Sequence, residues 1–174
     1  MTYYIKADKF FYPYEVKTGG FLQITDGKFG KWTADAPAGA DILEFHYEAT
    51  NKPDYWLDYL KDHNVRCGMA INPSTPVNKL KPFLNKLDQV LLMTVKPGFG
   101  GQKFEEVSVD RLTELQDMIK NENLDLPIEV DGGIDRETLK LTRDAGAKIF
   151  VAGSYIFKNG SIEDQVMKLK KEDK

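Results

Sequence analysis

The 174 residues carry 24 Lys and Arg against 27 Asp and Glu, a formal charge of −3, with two His and one Cys. Hydrophobic residues at 41% and charged residues at 29% fit one globular domain with its own core and exclude a disordered, collagen-like or strongly basic nucleic-acid-binding chain. The single Cys67 has no intrachain disulfide partner, so folding needs no oxidation and a cytoplasmic setting is expected.

The opening MTYYIKADKFF interleaves charges with aromatics where a cleaved leader needs an unbroken apolar run, so no leader is expected. No apolar run reaches membrane-spanning length either, and no membrane partner is expected. Short alternating or aromatic segments follow, at Tyr3 to Ala7, Lys9 to Tyr14, Phe21 to Thr25 and Lys28 to Thr33. The turn signals Gly19-Gly20 and Asp26-Gly27 separate them, and together they predict strands and hairpins. ADAPAG, residues 34–39, reads as a connector.

From Asp41 the pattern changes to strand, loop and helix. Strands are predicted at Ile42 to Tyr47, Val65 to Ile71, Gln89 to Val95, Pro127 to Val130 and Ile149 to Ala152. Helical spacing links Trp56, Tyr59, Leu60 and His63, then Leu112, Leu115 and Ile119, and lastly Ile162, Val166 and Leu169. Tyr55, Trp56 and Tyr59 are expected in the core. Strand starts 20 to 40 residues apart leave room for crossovers, which predicts five parallel βα units. VLLMTV and KIFVA are almost continuously apolar, as strands covered on both faces are. In ILEFHYE, period two puts Leu43, Phe45 and Tyr47 on one face and Glu44, His46 and Glu48 on the other.

Three strand ends carry glycine-rich loops. Lys96-Pro97-Gly98-Phe99-Gly100-Gly101-Gln102 follows the third βα strand and precedes a helix expected near Glu105. Glycines there let the backbone approach an anion and aim successive N–H groups at it. Asp131-Gly132-Gly133 leaves the fourth strand and Gly153-Ser154 the fifth; loops after late strands of a (βα) barrel meet at one end, where phosphate commonly binds. Asp131 is repelled by such a ligand, which suggests proton transfer or metal binding.

AGADI…HYEA, GMAINPSTP, MTVKPGFGGQKF, IEVDGGI and VAGSYIF, in that order along the chain, resemble ribulose-phosphate 3-epimerase over residues 37–174. The resemblance implies a (βα)₈-derived fold and inversion of the carbon beside a ketone in a pentulose phosphate. It implies phosphate contacts from Gly98, Phe99, Gly100, Gly101, Gly132, Gly133, Gly153 and Ser154. Asp131 is implied as acid/base and as a ligand to a divalent metal. Three early βα units of the family pattern are not recognisable here, and with them go its remaining metal ligands and its opposing Asp. His46 and His63 match no ligand position. Lys96 stands where the family usually has Asn.

Residues 1–36 resemble instead the opening β-strands of N-acetylglucosamine-6-phosphate deacetylase and related amidohydrolases. A chimera-like junction near Gly39 to Leu43 is therefore expected. A competing alignment of ITDGKF with an epimerase strand puts Phe21 and Gln23 at catalytic positions, so those groups are missing either way.

The expected fold is a partial TIM barrel of five parallel βα units preceded by β-strands and hairpins. Its expected function is retained sugar-phosphate binding, with epimerase activity lost or strongly reduced and no cofactor held. Two alternatives stand: a working metal-dependent isomerase with ligands from elsewhere, and a non-enzymatic recombined folding unit. The expected partners are a sugar phosphate or inorganic phosphate and a second copy, as a homodimer through an open sheet edge.

Overall fold

The computed structural model describes the backbone of residues 2–6, 9–11, 16–18, 21–25 and 28–33, and residues 41–158 and 160–172, with Glu172 described by its backbone alone. The chain forms two compact units, Met1–Gly68 and Met69–Lys174.

In the first unit lie β1 (Thr2–Lys6), β2 (Lys9–Phe11), β3 (Val16–Thr18), β4 (Phe21–Thr25) and β5 (Lys28–Thr33). β4 pairs antiparallel with both β1 and β5, and Thr25 faces Lys28 across β4 and β5. That register is the one a two-residue hairpin sets; Asp26-Gly27 itself, like Gly19-Gly20 and 34–40, lies outside the described residues. β2 and β3 form a separate antiparallel pair. β3 was not expected, since three residues carry too little pattern to register.

β6 (Ile42–His46), a 3₁₀ turn at Tyr47–Ala49 and α1 (Pro53–Asp62) follow. Leu43 and Phe45 are buried, as period two requires, and Cys67 is buried beside the Leu57 carbonyl. The expected aromatic core stripe on α1 is corrected. Leu57 and Leu60 are the buried pair, whereas Tyr55 is 57% exposed and Trp56 and Tyr59 are half-buried. The rings pack on one another along the helix surface, Trp56 edge-on to Tyr59 at 5.9 Å and Tyr59 over His63 at 4.2 Å. Neighbours three and four apart on a helix meet whether or not a core lies beneath them.

β7 (Arg66–Ile71) carries the division between the two units. After it come a 3₁₀ segment at Val77–Lys86, β8 (Gln89–Met93), α2 (Val107–Asn121), β9 (Ile128–Asp131), α3 (Arg136–Asp144), β10 (Ile149–Val151), α4 (Gly153–Lys158) and α5 (Ile162–Glu172). One five-stranded sheet has the order β10-β9-β8-β7-β6, with parallel pairing of β8 to β9 and β9 to β10. Chain-order strands with intervening crossovers are the barrel-type layout expected. The sheet is open, and β4 belongs to a separate three-stranded sheet of order β1-β4-β5.

The β7-to-β8 crossover is 3₁₀ because Pro82 sits inside it, without an N–H and clashing with an α-helical preceding turn. It still buries Val77, Leu80, Phe83 and Leu84. α2 buries Leu112, Leu115 and Ile119, β8 Val90 and Leu92, and β9 Ile128 and Val130. Truncating any one of the leucines or isoleucines among these to Ala costs about 2–5 kcal/mol. Arg111, also buried, donates to the carbonyls of Asn72 at 2.9 Å and Thr75 at 2.7 Å, tying the loop after β7 to α2.

Two expectations are corrected at the C-terminal end. β10 is the end strand, so Ile149 and Val151 are 36% and 37% exposed rather than covered on both faces. On α5 the buried pair is Gln165 and Leu169, with Ile162 exposed. Among the described residues no helix is long and apolar enough to cross a membrane.

Candidate functional site

Three loops on the second unit leave β8, β9 and β10 at their C-terminal ends. The first runs from Thr94 to Glu106 and is closed at its base by Glu105 N–H donating to the Thr94 carbonyl at 3.0 Å. Gln102 braces its tip: Nε2 donates to the carbonyls of Lys96 at 2.7 Å and Phe99 at 2.9 Å. Gly101 has φ +84°, a left-handed backbone that glycine alone adopts freely.

The second loop is held against the first. Thr94, fully buried, donates to the Asp131 carbonyl from N–H and from Oγ1, both at 2.9 Å, and its hydroxyl also reaches the Gly132 carbonyl. Gly132 and Gly133 have positive φ, and neither has room for a side chain. A Cβ at Gly132 would stand 2.9 Å from the Val95 nitrogen, and one at Gly133 would stand 2.7 Å from the Phe104 Cα. The glycine pair thus lets two loops touch, a role distinct from meeting an anion. Asp135 then caps α3, its side chain accepting from the N–H groups of Glu137 at 2.9 Å and Thr138 at 3.0 Å.

Thr94→Val is expected to destabilise the chain by about 1–3 kcal/mol, because it keeps the shape but removes the hydroxyl donor from the Gly132 carbonyl, while the Asp131 carbonyl keeps the Thr94 N–H. Chemical denaturation of the two proteins measures this.

Gly101 and Gly133, one residue from each of the first two loops, and Ser154, in the first turn of α4, line a single cleft of about 590 Å³ together with Gln102, Tyr155 and Lys158. Lys103, Glu106, Asp135 and Glu137 line it as well. Gly98, Phe99, Gly100, Gly132 and Gly153 do not, and Phe99 is 75% exposed at the tip of the first loop. Asp131 is half-buried at the end of β9, outside the cleft lining, and burial raises its carboxyl above the ordinary 3.8. A carboxylate so desolvated is a stronger base when ionised.

Sequence reasoning missed Thr94 and Gln102 as loop ties and Lys158 as part of the cleft. For Lys158 a signal existed: it follows Ser154 by four residues, one helical turn.

The divalent metal implied by the sequence resemblance finds no donor set around Asp131. Among the described residues no three His, Cys, Asp or Glu side chains gather as metal ligands. His46 has its Nδ1 3.3 Å from Glu48 Oε2, and the His63 Nδ1 lies 2.7 Å from the Tyr59 carbonyl.

Comparison with known proteins gives a consistent family. Residues 31–157 match the model of the ribulose-phosphate 3 epimerase family. A ribulose-phosphate 3-epimerase from Escherichia coli K12 is 43% identical over 122 residues, covering 70% of this chain and 54% of that protein. One from Bacillus subtilis is 44% identical over 125 residues, covering 71% and 58%. The chain spans a little over half the length of these curated relatives. A crystal structure of 3-hexulose-6-phosphate synthase superposes with a TM-score of 0.54 at 20% identity, over 78% of this chain and 63% of that one, which supports the barrel-type fold alone. With three glycine loops after successive parallel strands and this match over most of its length, the chain belongs to the ribulose-phosphate 3-epimerase family.

Proposed function

We propose that this chain is an epimerase-like protein that keeps a sugar-phosphate site on the loops after β8, β9 and β10 and has lost, or strongly reduced, epimerase turnover. The observation that carries the reading is the convergence of Gly101, Gly133 and Ser154 on one cleft. Backbone N–H groups of such loops suit a phosphate with little further preorganisation. The phosphate contacts proposed are Gly101, Gly133 and Ser154, the members of the set named from the sequence that line the cleft, with Asp131 as the proton-transfer group.

Epimerisation beside a ketone needs a proton removed from one face, the enediolate stabilised, and a proton returned to the other face. Asp131 supplies one acid/base, and its raised basicity suits a carbon acid. An opposing acid/base and an electrophile are not gathered around it among the described residues. Each 1.4 kcal/mol of missing transition-state stabilisation costs about tenfold in rate, so binding outlasts catalysis.

We also read residues 1–36 as a β-segment apart from the βα units of 37–174, a reading supported by the antiparallel pairing of β1, β4 and β5. The exposed edge at β10 favours a second copy of the chain as the protein partner.

Calorimetric titration with inorganic phosphate and ribulose 5-phosphate, beside a coupled epimerase assay, tests the central reading. Saturable binding of both is expected, with turnover at least about a thousandfold below the roughly 10 s⁻¹ of a typical enzyme. Turnover at an ordinary enzymatic rate that a chelator abolishes would establish a metal-dependent epimerase instead. No saturable binding would leave only a folding unit without a ligand.

A further inference from the structure

Lys158 closes α4 one turn after Ser154, and both line the cleft with Gly101 and Gly133. Its ammonium lies against the first loop: a Cβ at Gly101 would stand 2.9 Å from Nζ and meet no other atom within 4 Å. Glycine at 101 therefore leaves the backbone open toward a cation. No hydrogen bond or ion pair engages the Lys158 ammonium among the described residues.

The geometry points to Lys158 as the specificity-determining cation of this cleft, pairing with the charged oxygens of a phosphomonoester dianion seated on the glycine loops. This rests on the sugar-phosphate reading of the loops and adds to it the group that selects charge. Backbone N–H groups accept any oxyanion of suitable shape, whereas an ammonium beside them favours the doubly charged one. The preference has to outweigh nearby acids. Asp135 is engaged in capping α3, and Glu106 and Glu137 remain on the cleft with Lys103 and Lys158 opposing them. Of the two lysines, Lys158 is the one whose Nζ is placed over a glycine of the first loop. Because Lys158 is solvent-exposed, salt screens its contribution.

The experiment is titration of inorganic phosphate into the full chain and into Lys158→Gln, Lys158→Arg and Lys148→Gln, at about 0.02 M and about 0.2 M salt. Lys148, paired with Asp125 on the surface, is a control lysine outside this cleft. Lys158→Gln is expected to weaken binding about five- to tenfold at low salt and to flatten its salt dependence. Lys158→Arg is expected to stay within about twofold of the parent and Lys148→Gln to match it. If the parent binds phosphate and Lys158→Gln binds equally well with the same salt dependence, Lys158 has no such role and the glycine-loop reading stands. If the parent binds no phosphate, both readings fall. The substituted side chain is exposed, so unchanged melting of Lys158→Gln confirms that any lost affinity is local.

Discussion

Asp131→Asn is expected to lower any residual epimerase turnover by about a hundred- to ten-thousandfold, the usual worth of a positioned acid/base. Phosphate affinity should stay within about twofold, because the cleft is lined by other residues. The same substitution should raise stability at neutral pH. In the unfolded chain this carboxyl titrates near 3.8, and in the folded chain burial moves it higher. Between the two values the folded state keeps a proton that the unfolded state has released, so stability falls as pH rises through that window and stays lowered above it. The amide carries no charge at any pH. Melting curves across pH should therefore show Asp131→Asn above the parent at neutrality, with the gap closing below 3.8. A variant less stable than the parent at neutral pH would show that the carboxylate is stabilised by its surroundings rather than strained by them.

Gly133→Ala should be the most damaging small substitution in the cleft. The position has φ +64°, and its Cβ would enter the Phe104 backbone, which cannot swing away as a side-chain tip can. Left-handed strain and overpacking together are expected to cost about 3 kcal/mol or more. For a chain of this size that lowers Tm by roughly 6–12 °C. Phosphate binding should fall with it, since Gly101 and Gly133 belong to the two loops forced apart. Gly153→Ala is the contrast: no atom lies within 4 Å of its Cβ, so its stability should be unchanged and any loss of phosphate affinity would report contact with the ligand. Thermal melts and phosphate titration of the pair separate a packing glycine from a binding one.

The fold was legible where one-dimensional pattern suffices. All five parallel strands lie within one or two residues of their expected bounds, because apolar runs between crossovers leave few other readings. The glycine loops were legible as well, since their residue types demand special backbone. Facing was not. The α1 aromatics and Ile162 satisfy helical spacing, but which stripe is buried depends on the partner surface, and here Leu57, Leu60, Gln165 and Leu169 won it. The site was half legible for a related reason. Gly132 and Gly133 read as anion contacts, and the fold adds a packing role that sequence does not show, since Val95 and Phe104 leave no room for a side chain at either position. Lys158 carries no motif of its own in the sequence, and the fold alone brings it over Gly101.

The end position of β10 has a kinetic consequence. An outer strand with no neighbour on one side is a template, and Ile149-Phe150-Val151 is a β-prone stretch with neither proline nor charge inside it. Its flanking Lys148 is engaged with Asp125 at 2.9 Å, which leaves less charge free to repel an incoming strand. Each molecule emerging from denaturant therefore runs a first-order search for its own structure against a second-order encounter with its copies. Dilution, more than any gain in equilibrium stability, decides which of the two finishes first.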